Sequence, residues 1–95
     1  MERKKLTEDQ IAESLKLVVG WAVKDGKLTK NFQFKTYAAG VMFAAAVGQR
    51  ADTMDHHPDL TIGYQKVTVA VNTHDVGGIS HLDFALAHQV DSLLG

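Results

Sequence analysis

Apolar residues recur at helical spacing in three segments of the chain, and each segment begins at a residue that can cap a helix. Thr7 to Gln10 and Ser80 to Asp83 both have the form of a capping box, whereas Thr36 can cap a helix alone. The apolar stripes that follow these caps predict helices over about residues 8 to 19, 36 to 54 and 80 to 93.

Between the predicted helices, apolar and polar residues alternate singly, as they do in strands with one buried face. Asp25-Gly26 favours a tight turn, because this pair readily takes the positive φ angles that a hairpin needs. The predicted strands cover residues 21–24, 27–34, 60–64 and 67–71. The order αββαββα predicts an α+β fold, with a four-stranded antiparallel sheet and helices packed on one of its faces.

The second predicted helix is unusually rich in small side chains. Its predicted stripe consists of Tyr37, Val41, Ala44, Ala45 and Gly48. Small residues let another backbone approach closely, at some cost in helix stability from the glycines. Two interpretations remain open, which are tight packing against the sheet and binding of a protein partner.

Composition narrows the classes of function. The 10 lysine and arginine residues are balanced by 11 acidic residues, so no excess positive charge is present to hold nucleic acid. Cysteine is absent, which excludes disulfides and thiolate sites. No apolar stretch approaches the length of a membrane span. The charged start is followed by polar residues, where a signal peptide would have an apolar segment. We expect one domain over residues 1–95, located in the cytoplasm, which associates with further copies because so small a domain leaves much surface exposed.

Histidines are placed where predicted loops meet regular structure. His56 and His57 lie between the second helix and Pro58, which cannot continue a helix, and His74 follows a predicted strand in phase with Asn72. Imidazole has an unperturbed pKa close to neutrality, so a cluster of imidazoles can supply both an acid and a base. This pattern predicts a site for proton transfer.

Zinc binding is the alternative interpretation of the same histidines together with Asp55. Neighbouring histidines in an extended chain point apart, however, and no HxH or HxxxH pair is present. Acid–base chemistry is therefore favoured over metal binding. The other two histidines, His81 and His88, fall on the last helix and are interpreted as surface or capping residues.

An ordered series of short motifs resembles the pterin-4a-carbinolamine dehydratases, a family also known in animals as dimerisation cofactors of a homeodomain transcription factor. The resemblance runs almost from end to end of the chain. The matching motifs are Gly20-Trp21, Phe32-Gln33-Phe34-Lys35, Asp55-His56-His57-Pro58, Tyr64-Gln65-Lys66-Val67, Thr73-His74, Gly77-Gly78, Ser80 and Asp83.

The resemblance implies that the chain removes water from 4a-hydroxytetrahydropterin to give quinoid dihydropterin, in the recycling of tetrahydrobiopterin. It implies that His57 and His74 are the principal acid and base, and that His56 contacts the pterin or serves as an alternate proton-transfer group. It also implies a homodimer or homotetramer, with no cofactor.

Supporting roles are expected for residues around the histidines. Asp55 or Asp83 can orient an imidazole by hydrogen bonding, and the backbone of Asn72 and Thr73 can pair with the polar edge of the pterin. Pro58 sets the extended course of the chain, and Trp21 is expected to help wall the site. Asp83 also has a simpler role, as the capping residue of the last helix.

One pair of residues departs from the family pattern. Asp52-Thr53 stands where many active members carry Glu-Lys, so the acidic group is shortened and its basic neighbour is lost. The departure supports a competing hypothesis, in which the chain keeps the fold but has little activity and acts by binding a protein partner.

Overall fold

The computed structural model describes residues 4–95, so Met1, Glu2 and Arg3 of the charged start lie outside the described residues. The elements follow one another in the predicted order αββαββα, which confirms the α+β fold. Their bounds are α1 Glu8–Leu15, β1 Ala22–Lys24, β2 Lys27–Gln33, α2 Tyr37–Met54, β3 Asp59–Ile62, β4 Lys66–Val71 and α3 His81–Ser92, with a short 3₁₀ helix at His74–Val76.

The four strands form one antiparallel sheet in the order β1-β2-β4-β3. Its two central strands, β2 and β4, pair over six residues, from Leu28 opposite Val71 to Gln33 opposite Lys66. Asp25 and Gly26 join β1 to β2 with φ angles of 52° and 77°, as the predicted tight turn requires. None of the helices within residues 4–95 is long and apolar enough to cross a membrane.

One face of the sheet carries the core, because alternate strand residues point towards the helices. The central strands contribute Leu28, Phe32, Val67, Val69 and Val71, all of which are buried. The helices cover them with Phe43, Val47 and Ala51 from α2 and with Phe84, Leu86, Ala87 and Val90 from α3. The opposite face carries polar and small side chains such as Thr29, Asn31 and Thr68.

The buried face of α2 differs from the predicted stripe. Gly40, Phe43, Ala44, Val47 and Ala51 are its buried residues. Of the predicted stripe, only Ala44 is fully buried, whereas Tyr37, Val41 and Ala45 are exposed. The prediction was wrong because alanines occur all round this helix, and the larger Phe43 and Val47 determine which side turns inward.

Close packing of α2 on the sheet depends on Gly40. A Cβ atom at this position would lie 3.3 Å from a methyl group of Val67 and 3.6 Å from the ring of Phe34. A glycine in mid-helix lowers helix stability, so its presence here is explained by the close approach of the two backbones. The tight-packing interpretation of the small residues therefore holds at this position.

The first helix ends four residues earlier than predicted. Beyond Leu15, the N–H groups of Lys16, Leu17 and Val18 bond to carbonyls three residues back, so the chain continues as tight turns. The turns bury Val18 and leave Leu17 and Val19 exposed. Val18, predicted as the third apolar position of the helix after Ile11 and Leu15, is thus buried by a turn instead.

A half-buried polar cluster fastens this turn to the last helix. Asp91 accepts one hydrogen bond from Trp21 Nε1 at 3.0 Å and one from Lys30 Nζ at 2.9 Å. Lys30 also donates to the carbonyl of Val19 at 3.0 Å, and its ammonium lies 5.0 Å from the centre of the Phe32 ring. Because the lysine is shielded by an aromatic ring, this ion pair is less exposed to solvent than an ordinary surface pair.

Leu28→Ala is expected to lower the free energy of unfolding by roughly 2–5 kcal/mol, because it opens a cavity beneath a fully buried position of a central strand. Leu17→Ala, at a side chain that is 73% exposed, is the matched control and should change stability by less than about 0.5 kcal/mol. Urea denaturation at one fixed protein concentration measures both effects. Equal losses in the two variants would contradict the described core.

Candidate active site

The two histidines that follow α2 lie in different environments. Asp55 caps the helix in the left-handed conformation, with φ 52° and ψ 44°, and its N–H bonds back to the helix. The N–H of His56 makes one more bond, to the carbonyl of Ala51 at 3.0 Å, and Pro58 then keeps the chain from resuming a helix. As a result, the His56 side chain is 7% exposed and the His57 side chain is 58% exposed.

A tight loop after β4 places the third histidine. Thr73 pairs with Gly78 across the base of this loop, with its N–H 2.8 Å from the Gly78 carbonyl. His74 begins a 3₁₀ helix that ends at Gly77, where φ is 68°. His74 lies beyond the end of β4 but keeps the predicted phase with Asn72, because both side chains are more exposed than those of Val71 and Thr73, which are buried.

The two chain segments border one cavity of about 400 Å³. Such a volume lies within the range of small-molecule sites in proteins. All three predicted histidines line it together with three polar neighbours, so that its lining consists of Asp55, His56, His57, Asn72, His74 and Asp75. Residues separated by about twenty positions in sequence are thus brought together around a single space.

Beneath the cavity lies a buried hydrogen-bonded group, which we call the Asp83 network and which consists of His56, Thr73, Ser80 and Asp83. Asp83 Oδ1 lies 2.6 Å from His56 Nε2. Asp83 Oδ2 accepts from the Thr73 hydroxyl at 2.9 Å and from the Ser80 N–H at 2.8 Å. Thr73, Ser80 and Asp83 are all 0% exposed, so the carboxylate exchanges its hydration for three protein hydrogen bonds.

His57 has its own carboxylate partner at the surface. Its Nε2 lies 3.0 Å from Asp52 Oδ1, and the Asp52 side chain is 80% exposed. The shorter side chain at position 52 therefore still reaches an imidazole. Thr53, beside it, bonds its hydroxyl to the carbonyl of Gln49 one helical turn back.

Trp21 lies away from this cavity, contrary to the expectation that it walls the site. Its side chain is buried at 5% exposure, contacts the edge of Phe32 and bonds to Asp91 near the end of α3. Trp21 is not among the residues that line the cavity within residues 4–95. Its position after α1 makes it a core residue, as strand periodicity alone would indicate.

Two residues of the site were not predicted as part of it. Ser80 was identified as a helix cap and as a match to the family pattern but not as a site residue, yet its hydroxyl lies 2.6 Å from that of Thr73 within the Asp83 network. Asp75 lines the cavity beside His74. The capping box was a signal for Ser80, because it predicts that Ser80 bonds to Asp83. Asp83 also bonds to His56, so Ser80 lies close to the site.

Each of the tandem histidines faces a carboxylate. Nε2 of His56 faces Asp83, and Nε2 of His57 faces Asp52. Among residues 4–95, no three histidine, aspartate or glutamate side chains are arranged to hold one metal ion.

Comparison with known families places this site in context. The model of the pterin 4 alpha carbinolamine dehydratase family matches residues 4–93. The chain belongs to this family. The match includes every residue that lines the cavity and all four members of the Asp83 network.

Similar chains occur in archaea and bacteria. A proposed pterin-4-alpha-carbinolamine dehydratase of Sulfurisphaera tokodaii is 46% identical over 91 residues, which cover 96% of this chain and 98% of that protein. A proposed enzyme of the same name from Mycobacterium tuberculosis is 39% identical over 90 residues, which cover 95% of this chain and 96% of the relative.

Solved structures share the fold but carry different functional descriptions. A protein of Brucella melitensis described as a transcriptional coactivator/pterin dehydratase superposes with a TM-score of 0.90 at 32% identity, covering 97% of this chain and 100% of the other. A pterin dehydratase-like protein identified as a RuBisCO assembly factor of the alpha-carboxysome superposes with a TM-score of 0.63 at 26% identity, covering 79% and 87%.

Asp83→Ala is expected to lower the free energy of unfolding by about 3 kcal/mol or more, because it leaves three buried hydrogen-bonding groups without their partner. Asp52→Ala removes a carboxylate from the other histidine pair and should change stability little, since that pair is exposed. Thermal and urea unfolding of both variants test the difference. A larger loss in Asp52→Ala would contradict the description of the Asp83 network.

Proposed function

We propose that this protein catalyses the dehydration of a 4a-hydroxytetrahydropterin to quinoid dihydropterin, as part of tetrahydrobiopterin recycling. The observation that carries the proposal is the convergence of His56, His57 and His74 on one cavity of about 400 Å³. The chain's membership of the dehydratase family and its likeness to the Brucella coactivator/pterin dehydratase support the same reaction.

The reaction requires two proton transfers on neighbouring atoms of the pterin. One proton must reach the departing hydroxyl group, and another must leave the adjacent ring nitrogen, whose electron pair forms the new carbon–nitrogen double bond. His57 and His74 lie on different chain segments that border the cavity, so they can act from different sides of a flat ring. We assign them as the principal acid and base, and Asp52 orients His57.

The remaining residues of the cavity bind the pterin in this proposal. His56 contacts the pterin or serves as the alternate proton-transfer group, and the backbone of Asn72 pairs with its polar edge. Thr73 was expected to share that pairing, but it is 0% exposed and its N–H is bonded to the Gly78 carbonyl, so it supports Asn72 from below. Asp55 and Pro58 direct the chain that carries the tandem histidines. The chemistry needs no metal ion or organic cofactor, because proton transfer by imidazole suffices for loss of water.

We also expect the protein to act in the cytoplasm as a homodimer or homotetramer. The support for association is the apolar surface on α2, where Val41 is 38% exposed and Met42 is 72% exposed. Large apolar side chains exposed on one helix are consistent with a protein–protein contact.

His57→Ala and His74→Ala are each expected to reduce kcat for dehydration by about 100-fold or more, which is the usual contribution of a general acid or base. The assay generates 4a-hydroxytetrahydropterin and follows its loss by ultraviolet absorbance. His88→Ala is the matched control, because this histidine is exposed on α3 and does not line the cavity.

The native protein must accelerate the reaction above its spontaneous rate for the assignment to stand. A folded wild-type protein without acceleration would contradict the proposed activity. Full activity in both histidine variants would retain the enzyme but refute these roles for His57 and His74.

A second candidate function is binding or scaffolding of a protein partner with little catalysis. The observation that favours it is the exposure of Tyr37, Val41, Met42 and Ala45 on α2, outside the face that packs on the sheet. The likeness to a RuBisCO assembly factor also supports a role in protein assembly. A chain whose main role is binding would depend on this helix surface rather than on the histidines.

Ala45→Arg is expected to reduce recovery of a protein partner about tenfold in co-purification, because it places a charged side chain within the exposed apolar surface. Ala12→Arg makes the same change at an exposed position of α1 and should leave recovery unchanged. Undiminished recovery with Ala45→Arg, or the absence of any partner with the wild type, would count against scaffolding.

A further inference from the structure

The hydrogen bonds of the Asp83 network have a single possible direction. The Thr73 hydroxyl donates its one hydrogen to Asp83 Oδ2, so it must accept at its 2.6 Å contact with the Ser80 hydroxyl. Ser80 is therefore the donor in that contact, and its oxygen in turn accepts from the N–H of Leu82 at 3.1 Å. The hydroxyl hydrogens therefore run in one series, from Ser80 to Thr73 and from Thr73 to the Asp83 carboxylate.

This direction determines which nitrogen of His56 carries a hydrogen. An ionised carboxylate only accepts hydrogen bonds, so His56 Nε2, 2.6 Å from Asp83 Oδ1, must be the donor. In the neutral imidazole, the other nitrogen, Nδ1, is then an acceptor with a free lone pair. Thr73 and Ser80 hold Asp83 in place from the side opposite His56, because their bonds occupy its second oxygen.

The acceptor nitrogen of His56 is accessible from the cavity. Asp83 is the partner of its side chain, and the part of the chain that the structure describes contains no buried side-chain nitrogen or oxygen without a hydrogen bond. Nδ1 is consequently in contact with open space, and the space that His56 borders is the cavity. The network thus directs the lone pair of His56 Nδ1 towards a ligand in the cavity.

We propose that the Asp83 network makes His56 a specificity-determining acceptor, which selects pterins that carry a hydrogen on the ring nitrogen facing Nδ1. The pterin as occupant rests on the proposed function. A tetrahydropterin can donate that hydrogen to His56, whereas a fully oxidised pterin has a lone pair on the corresponding nitrogen. Two facing lone pairs repel, so the oxidised ligand binds more weakly.

The first test reads the tautomer without a ligand. Nitrogen-15 NMR correlation spectra distinguish a protonated from an unprotonated ring nitrogen, and the neutral form of His56 should carry its hydrogen on Nε2. Asp83→Asn should move the hydrogen to Nδ1, because the amide oxygen can keep the bonds from Thr73 and Ser80 while the amide nitrogen donates to Nε2. A neutral wild-type His56 with its hydrogen on Nδ1 would overturn the inference.

The second test measures binding of a tetrahydropterin and of the matching oxidised pterin under anaerobic conditions. The wild type should prefer the tetrahydropterin by about tenfold or more, and Asp83→Asn should abolish or invert the preference. Thr73→Val should weaken it by loosening Asp83, and Thr73→Ser should restore it. Thr68→Val, on β4 just before Thr73 but outside the network, is the matched control.

These outcomes separate the inference from the proposed function. Equal affinity for both pterins in an active wild-type enzyme would refute the selection by His56 and leave the dehydratase assignment standing. A clear preference in a protein without dehydratase activity would support the selection and refute the assignment. An unchanged preference in both Asp83→Asn and Thr73→Val would also refute the role of the network.

Discussion

The position of one buried carboxylate links the fold of this protein to its candidate chemistry. Asp83 closes the capping box of α3, holds Thr73 at the end of β4 and fixes His56 at the end of α2. Three elements that are distant in sequence therefore meet at one side chain. Because the carboxylate is buried and its oxygens are fully engaged, displacement of any one element costs hydrogen bonds in the other two.

The sequence predicted the architecture well, since each of its elements has a strong local signal. The Asp25-Gly26 turn, the Thr36 cap and the Ser80 capping box all occur where they were predicted. The failures arose where local pattern is ambiguous. The alanines of α2 do not indicate which side is buried, and the apolar residues after Leu15 are equally compatible with a helix or a packed turn.

The site was only partly predictable, for a different physical reason. Sequence motifs indicated which residues belong to it, but pairing between carboxylates and imidazoles depends on how the chain turns at Asp55. The left-handed conformation of this residue directs His56 towards Asp83 and His57 towards Asp52. Each of these adjacent histidines therefore faces a different carboxylate, and their spacing in the sequence does not indicate which one. Trp21 was misplaced because family resemblance carries residue identity but not the contacts of this chain.

The unequal burial of the two carboxylates affects how related sequences should be interpreted. Asp83 serves the helix cap and the core at once, so a relative that has lost catalysis still has a structural reason to retain it. Asp52 is largely exposed and its side chain pairs with His57 at the surface, so we expect its replacement to have little effect on the fold. The similar structures include one described as a pterin dehydratase and one described as an assembly factor. We therefore expect an aspartate at position 83 to accompany the fold in either case. Under the proposed function, the residue at position 52, which pairs with His57, is the one expected to vary with chemistry.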